Sequence, residues 1–172
     1  MKTYVFLDAE TDGLYGDFLS AALAATDEAG NILEKAYYGL SPRLLEGVKT
    51  PWVRENVLPV MGVYTPVDSR EELLEAVWSF WMKYRETGYL IGDVVYPVEV
   101  RLLQACVEVS PEERMFLAPF PLLDISSMLY AVGQDPDADR YALLGEPVSG
   151  MQHNPLQDVE TTIRLWKRYV QK

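Results

Sequence analysis

The sequence predicts an α/β fold built on a mixed sheet, and three observations carry that prediction. The first third of the chain alternates short apolar runs with tight turns, as strands do. The remainder alternates amphipathic helical patterns with two further short apolar runs. Helix starts are marked by capping residues and prolines rather than by long apolar stretches. Strands first, then helices interleaved with strands, is the order of a sheet covered by helices.

Residues 2–8 form the first strand, with Tyr4-Val5-Phe6-Leu7 ending at Asp8. Residues 9–17 read as a loop rich in Gly and Asp. Residues 18–27 are Ala-rich and fit strand or helix by composition. The turn Asp27-Glu28-Ala29-Gly30-Asn31 and the run Ile32 to Tyr38 favour a hairpin. The N-terminal third is therefore a three-stranded antiparallel meander. Thr50-Pro51-Trp52 opens a short helix over 50–62. Ser69 with Glu72 three residues on resembles a capping box and opens a helix over 69–85. Its aromatic residues Trp78, Phe80, Trp81 and Tyr84 read as core packing rather than as a base-stacking platform.

Tyr89-Leu90-Ile91-Gly92 is a buried strand, and Pro97 starts a helix reaching 108. Residues 120–123 suggest a short strand or an extended entry, and Asp124 caps the helix that follows. Residues 133–152 read as loop with one short helix. The last helix covers 155–169, with Val159, Ile163, Trp166 and Val170 as its apolar face.

The 172 residues suit one domain spanning 1–172. No apolar stretch reaches the roughly 18–20 residues that cross a bilayer, and the N-terminal run is cut by Asp8 and Glu10, as a strand is and a signal peptide is not. A single cysteine, Cys106, excludes an intramolecular disulfide and a cysteine-rich zinc site, so a cytoplasmic setting is the default expectation. The net charge of -11 argues against a broad basic face gripping long nucleic acid. It leaves open a short or end-bound strand, with metal ions reversing the field locally. Arg101, Arg140, Arg164, Lys167 and Arg168 are the cations expected near such a site. The aromatic and aliphatic content is compatible with a homodimer.

Two motifs carry chemistry. Asp8-Ala9-Glu10-Thr11 puts two carboxylates on the same side of a strand end, because side chains alternate with period two. Two such groups repel unless a cation lies between them. With oxygen ligands and no thiolate, that cation is Mg2+ or Mn2+. Two ions held about 3.5–4 Å apart can activate water and stabilise the leaving oxygen of a phosphodiester. His153-Asn154-Pro155-Leu156-Gln157-Asp158 contains the only histidine. Pro155 fits the first helical turn, so Asp158 rides on a rigid helix and His153 lies in the loop before it, with a basicity suited to taking a proton near neutral pH. Each motif alone also fits a bland reading: a solvated strand end, or a surface histidine with an aspartate favoured by the helix dipole.

Together the two motifs resemble those of the DEDDh 3'-5' exonucleases, the proofreading-exonuclease and oligoribonuclease-like group. The third motif matches that family's His-x-x-x-x-Asp pattern. The resemblance implies a ribonuclease H-like fold, a mixed five-stranded sheet flanked by helices, and two Mg2+ or Mn2+ ions. It implies a substrate of nucleic-acid 3' ends, RNA or DNA, single-stranded or short. The middle motif departs from the family's Asn-x-x-x-Asp: the segment here is Gly92-Asp93-Val94-Val95-Tyr96-Pro97-Val98-Glu99. The fourth carboxylate is Glu99 or Asp93, with Glu99 favoured by the Leu102-Leu103 pair after it.

By this resemblance Asp8 bridges both ions, Glu10 and Asp158 hold the first, and Glu99 or Asp93 orients water on the second. His153 is the general base. The backbone at Glu10 and Thr11 and the side chain of Leu14 receive the terminal nucleotide, with Leu14 or Tyr15 wedged against a base. Asp124 reads as a helix cap, and Asp12 and Asp17 as solvated loop residues. The activity implied is release of nucleoside 5'-monophosphates. The alternatives are an inactive protein of the same fold that binds nucleic-acid ends or a protein partner, and a ribonuclease H-like endonuclease.

Overall fold

A computed structural model describes residues 2–147 and 152–171. Its centre is a six-stranded mixed sheet. The strands are β1 (Thr3–Thr11), β2 (Phe18–Thr26), β3 (Ile32–Leu40), β4 (Thr65–Val67), β5 (Gly88–Gly92) and β6 (Leu122–Asp124). Their order across the sheet is β4-β3-β2-β1-β5-β6. The first three form the expected antiparallel meander, while β4, β5 and β6 each pair in parallel with a neighbour. The sixth strand, β4, was not expected: Thr65-Pro66-Val67 is three residues long with a central proline, a combination tolerated at a sheet edge.

Strand β1 runs to Thr11, past the expected end at Asp8. Its pairing with β2 continues through Glu10 opposite Ser20 and breaks register only between Glu10 and Thr11. Asp8 and Glu10 are therefore both strand residues. Strand β2 is buried along its whole length. Its alanines let helices approach closely on both faces, which also explains why its composition did not mark it as a strand.

On one face, helices α3 (Arg70–Tyr84) and α4 (Val98–Glu108) cover Val5, Leu7, Ala21 and Leu23. Trp78, Phe80 and Trp81 are buried there, as expected for core packing. On the other face, α8 (Pro155–Leu165) lays Val159 and Ile163 over Phe6, Ala22 and Ala24, and Trp166 follows in a π-helical last turn. Tyr4, Phe6, Asp8 and Glu10 share a face by strand alternation, so α8 lies on the side that carries the two acids. Between these come α1 (Pro42–Leu45) and α2 (Pro51–Asn56). The latter is shorter than expected because the chain passes into a 3-10 turn at Leu58–Val60, where Pro59 has no N–H for an α-helical bond. Helices α5 (Pro111–Arg114), α6 (Ile125–Ala131) and α7 (Arg140–Leu144) complete the described elements. Among the described residues no helix is long and apolar enough to cross a membrane.

Candidate active site

Two segments deliver three acids to one point. Strand β1 brings Asp8 and Glu10. The first turn of α8 brings Asp158, whose N–H bonds Asn154 O at 2.9 Å. One carboxylate oxygen from each of the three lies within 4.8 Å of the others. The start of α8 is fixed by Asn154, whose Oδ1 accepts from Gln157 N at 3.0 Å. Its Nδ2 donates to Val60 O at 2.8 Å and Met61 O at 2.9 Å. The side chain thus caps α8 and ties it to the turn after α2.

Glu99 enters from the other side of β1. Pairing between β1 and β5 ends at Phe6 and Ile91, which leaves the Ala9 N–H beyond the last rung. Glu99 Oε1 accepts it at 3.2 Å, and the side chain is buried. Asp93, the other candidate for fourth carboxylate, is engaged elsewhere. Arg140 Nε donates to its Oδ2 at 2.6 Å and Nη2 to its Oδ1 at 2.7 Å, and Ser126 Oγ bonds Oδ1 at 3.2 Å. Arg140 also donates to Pro136 O and Ala138 O. It clasps the 136–139 loop to the end of β5.

Crowded acids in a dry place hold their protons. Burial, then the charges of Asp158, Glu99 and Glu10, raise the pKa of Asp8 well above the ordinary carboxylate value. Burial pushes Glu99 up to about 8 and Asp158 up to about 7, with Glu10 adding to both. Asp8 Oδ2 is sealed from solvent and has no hydrogen-bond partner among the described residues. An orphaned carboxylate oxygen among three converging acids, with no thiolate nearby, fits a hard divalent cation. The residues present therefore suit Mg2+ or Mn2+.

His153 stands beside this group, with Nδ1 3.7 Å from Glu10 Oε1. That is an ion-pair distance rather than a hydrogen bond, and the carboxylate raises the imidazole pKa above its usual value. The ring meets Trp52 edge to face at 5.0 Å between centroids. A cleft of about 360 Å³ runs past Asp8, Asp93, Arg140, Tyr141, His153 and Asp158.

The loop after β1 is more ordered than its composition implied. Thr11 Oγ1 donates to Gly13 O at 2.7 Å, and Gly13 takes a φ of +79°, which favours glycine. Asp12 is no free solvated residue: it accepts from Lys49 N and Thr50 N, both at 2.8 Å. Its slight burial opposes ionisation, but those N–H groups hold its carboxyl below the ordinary value. This contact seats α2, and with it Trp52, beside the acids. Leu14 and Tyr15 project into solvent from the same loop. Asp124 caps α6 as expected, accepting from Ser126 N and Ser127 N, and also holds Val94 N at 3.0 Å.

Of the five cations expected near the site, Arg140 lines the cleft and Arg101 braces the loop after β1. The other three lie elsewhere: Arg164 pairs with Glu146 at 3.0 Å, Arg168 bonds Leu144 O, and Lys167 packs against Gly30. The last turns of α8 lie away from the acid carried in its first turn, Asp158. Trp52 was not recognised from sequence as a neighbour of the site. Its Thr50-Pro51 helix start was legible, but its meeting with His153 depends on the Asp12 contact.

No protein-family model matches the chain, and no curated protein does. Solved structures do. Pop2p of S. pombe, in a form with Mg2+ and Mn2+ bound, is similar with a TM-score of 0.71 and 17% identity, over 96% of this chain and 81% of that one. E. coli ExoI, in a zinc-bound complex with single-stranded DNA, is similar with a TM-score of 0.62 and 16% identity, over 97% of this chain and 40% of that one. Exonuclease I of Methylocaldum szegediense gives 0.59 and 16%, over 100% of this chain and 42% of that one.

The fold is that of the ribonuclease H-like exonucleases. The resemblance read from the two terminal motifs thus holds as a likeness of fold over nearly the whole chain. The chain spans most of the Pop2p chain but only about two-fifths of the exonuclease I chains.

Proposed function

We propose that residues 1–172 form a single exonuclease domain that hydrolyses the terminal phosphodiester at the 3' end of single-stranded or short nucleic acid, releasing nucleoside 5'-monophosphates. The observation that carries this reading is the convergence of Asp8, Glu10 and Asp158 on one point, with an Asp8 oxygen left without a partner. Asp8, Glu10 and Asp158 would hold Mg2+ or Mn2+, and Glu99, buried against the Ala9 N–H, is the fourth carboxylate in preference to Asp93. The Arg140 clasp on Asp93 favours that assignment. When bound, two such ions supply Lewis-acid stabilisation of phosphate charge and lower the pKa of water.

His153 is the base. It lies in the loop before a rigid helix, half-exposed at the mouth of the cleft, and takes the proton of the attacking water. The water oxygen bonds to phosphorus, the bond from phosphorus to the 3' oxygen breaks, and that oxygen takes a proton from solvent to become the 3'-hydroxyl of the shortened strand. Leu14 and Tyr15, with the backbone at Glu10 and Thr11, receive the terminal nucleotide. Trp52, held at right angles to the imidazole, keeps the ring turned toward Glu10.

The test is hydrolysis of 5'-labelled single-stranded RNA and DNA with Mn2+ or with EDTA, for wild type and His153→Ala. The expected result is a ladder shortening stepwise from the 3' end, abolished by EDTA. In His153→Ala, kcat should drop about 10²–10⁴-fold, the usual range for removing a general base. Folded, metal-loaded protein that cuts neither strand would overturn the reading and leave a binding protein of the same fold. Cleavage of circular strands would make it an endonuclease.

A further inference from the structure

Glu10 has a row of small residues beside it in the sheet. Its rung of the ladder runs Glu10, Ser20, Gly39, and the neighbouring rung runs Asp8, Ala22, Tyr37. Residues paired across strands share a face, so these six lie on the face that α8 covers, where Ala22 and Tyr37 join the cluster of Val159 and Ile163. Gly39 admits an aromatic ring: a Cβ there would meet the Tyr64 ring at 2.8 Å. That ring packs on Tyr37 with centroids 5.6 Å apart. Ala22, between Tyr37 and Asp8, leaves the way across β2 open. Two strand spacings, about 9–10 Å, separate β3 from β1, a width that a tyrosine and a glutamate side chain together span.

These two rungs carry more polar atoms than a packed sheet face needs. Ser20 is fully buried and Tyr37 nearly so. Ser20 Oγ and Tyr37 OH, like Asp8 Oδ2, are sealed from solvent with no hydrogen-bond partner among the described residues. A hydroxyl buried in that way costs stability, and alanine or phenylalanine would fill the same space without it. Glu10 meets His153 at 3.7 Å, an ion-pair distance, which leaves its carboxylate short of donors. Tyr37 also lies in the field of the acids: burial above all raises its pKa, Ser20 opposes, and Glu10, Tyr64 and Asp8 add.

Resting on the metal site of the proposed function, we propose that Tyr37 and Ser20 are positioning residues for Glu10, their hydroxyls donating to its carboxylate and holding it toward the ion shared with Asp8 and Asp158. His153 draws the same carboxylate toward the mouth of the cleft, and the two hydroxyls supply the opposing hold from the buried side. Both lie under α8, so neither touches the nucleic acid.

The test is calorimetric titration of the folded protein with Mn2+, without nucleic acid. Tyr37→Phe should weaken Mn2+ binding about 10–100-fold, the usual effect of losing a hydrogen bond that orients a metal ligand, and Ser20→Ala should do the same. In EDTA both variants should melt no lower than wild type, because each loses a buried hydroxyl that has no partner there. A merely structural role gives the opposite pair of readings, a lower Tm and unchanged Mn2+ affinity. In the Glu10→Ala background, Tyr37→Phe should weaken Mn2+ no further, because it acts through Glu10. Tyr84→Phe, which loses a hydroxyl bonded to Glu34 at 2.7 Å on the other face of the sheet, is the control and should bind Mn2+ as wild type does. Unchanged Mn2+ affinity in Tyr37→Phe, or an equal loss with and without Glu10, would overturn the inference. Wild type that takes up no Mn2+ would overturn it together with the metal site. Wild type that binds Mn2+ but cuts no strand sinks the nuclease reading alone, and the titration still decides the role of Tyr37.

Discussion

Asn154→Ala isolates the contact that sets the third motif against the sheet. Asn154 is buried, and its side chain makes three hydrogen bonds: one to the Gln157 N–H and two to the carbonyls of Val60 and Met61. Removing the cap costs about 1 kcal/mol. Each carbonyl left without a donor adds about 1 kcal/mol, at the low end because the turn is partly exposed. The total is about 3 kcal/mol, which for a chain of this size lowers Tm by roughly 6–12 °C. Asn154→Asp separates the two parts. It keeps the cap acceptor but supplies no donor and sets an anionic oxygen against two carbonyls, so its loss should equal or exceed that of alanine. Thermal unfolding by circular dichroism, in EDTA, measures both. An alanine variant within about 2 °C of wild type would refute the reasoning. An aspartate variant as stable as wild type would show that the cap alone matters.

Glu99→Gln keeps an acceptor for the Ala9 N–H and removes one like charge. At pH 8.5 in EDTA it should melt above wild type, while kcat in Mn2+ drops at least about 100-fold; full activity would remove Glu99 from the metal site. Arg140→Ala leaves Asp93 charged, half-enclosed and unpaired, at a cost of about 2–3 kcal/mol, discounted from the fully buried case because each partner keeps some solvent. Asp93→Asn, which can still accept from the guanidinium, should cost less, and the two melting curves rank them. Wild type should lose stability in EDTA as pH rises. Asp8, Glu99 and Asp158 have folded pKa values raised above their unfolded values, to about 8 for Glu99 and about 7 for Asp158. The folded state then binds more protons than the unfolded one between about pH 4 and 8, so its stability is present below that window and lost through it. Tm measured from pH 5 to 8.5 should fall in EDTA and flatten in MgCl2; a flat EDTA profile would contradict the burial of these acids.

The alternation of Asp8 and Glu10, the proline at the start of α8 and the capping serine before α3 were legible because each is a local rule acting over three or four residues. β2 was ambiguous because alanine serves both a helix and a strand packed tightly on two sides. The local Leu102-Leu103 pair favours Glu99 over Asp93, but the contacts that distinguish the two residues are not local. Asp93 meets Arg140, 47 residues away in the chain, and Glu99 meets an Ala9 N–H freed where the β1–β5 pairing stops. Asp12 looked solvated because nothing near it in sequence shows that the Lys49 and Thr50 amides arrive beside it. Arg164, Lys167 and Arg168 were among the cations expected near the site, but a helix of 1.5 Å rise per residue carries them away from its first turn.

The charge distribution orders the binding events. Arg140 is already spent on Asp93, and His153 is drawn to Glu10, so the cleft without ions presents converging carboxylates to an incoming phosphate. Like charges at that range in a poorly solvated cleft repel strongly. Under the proposed function, divalent ions would reverse the sign of the field where a terminal phosphate enters. Strand binding should therefore be coupled to metal binding, and the coupling is reciprocal. Titrating His153→Ala protein with Mn2+ in the presence and absence of a fluorescein-labelled DNA decamer measures both legs. The decamer should tighten Mn2+ by the same factor by which Mn2+ tightens the decamer. Asp8→Asn, which removes a charge but also the oxygen aimed at the ion, should bind neither metal nor strand tightly. Equal decamer affinity in EDTA and in Mn2+ would break the argument, because the strand would then be held where the carboxylates do not act.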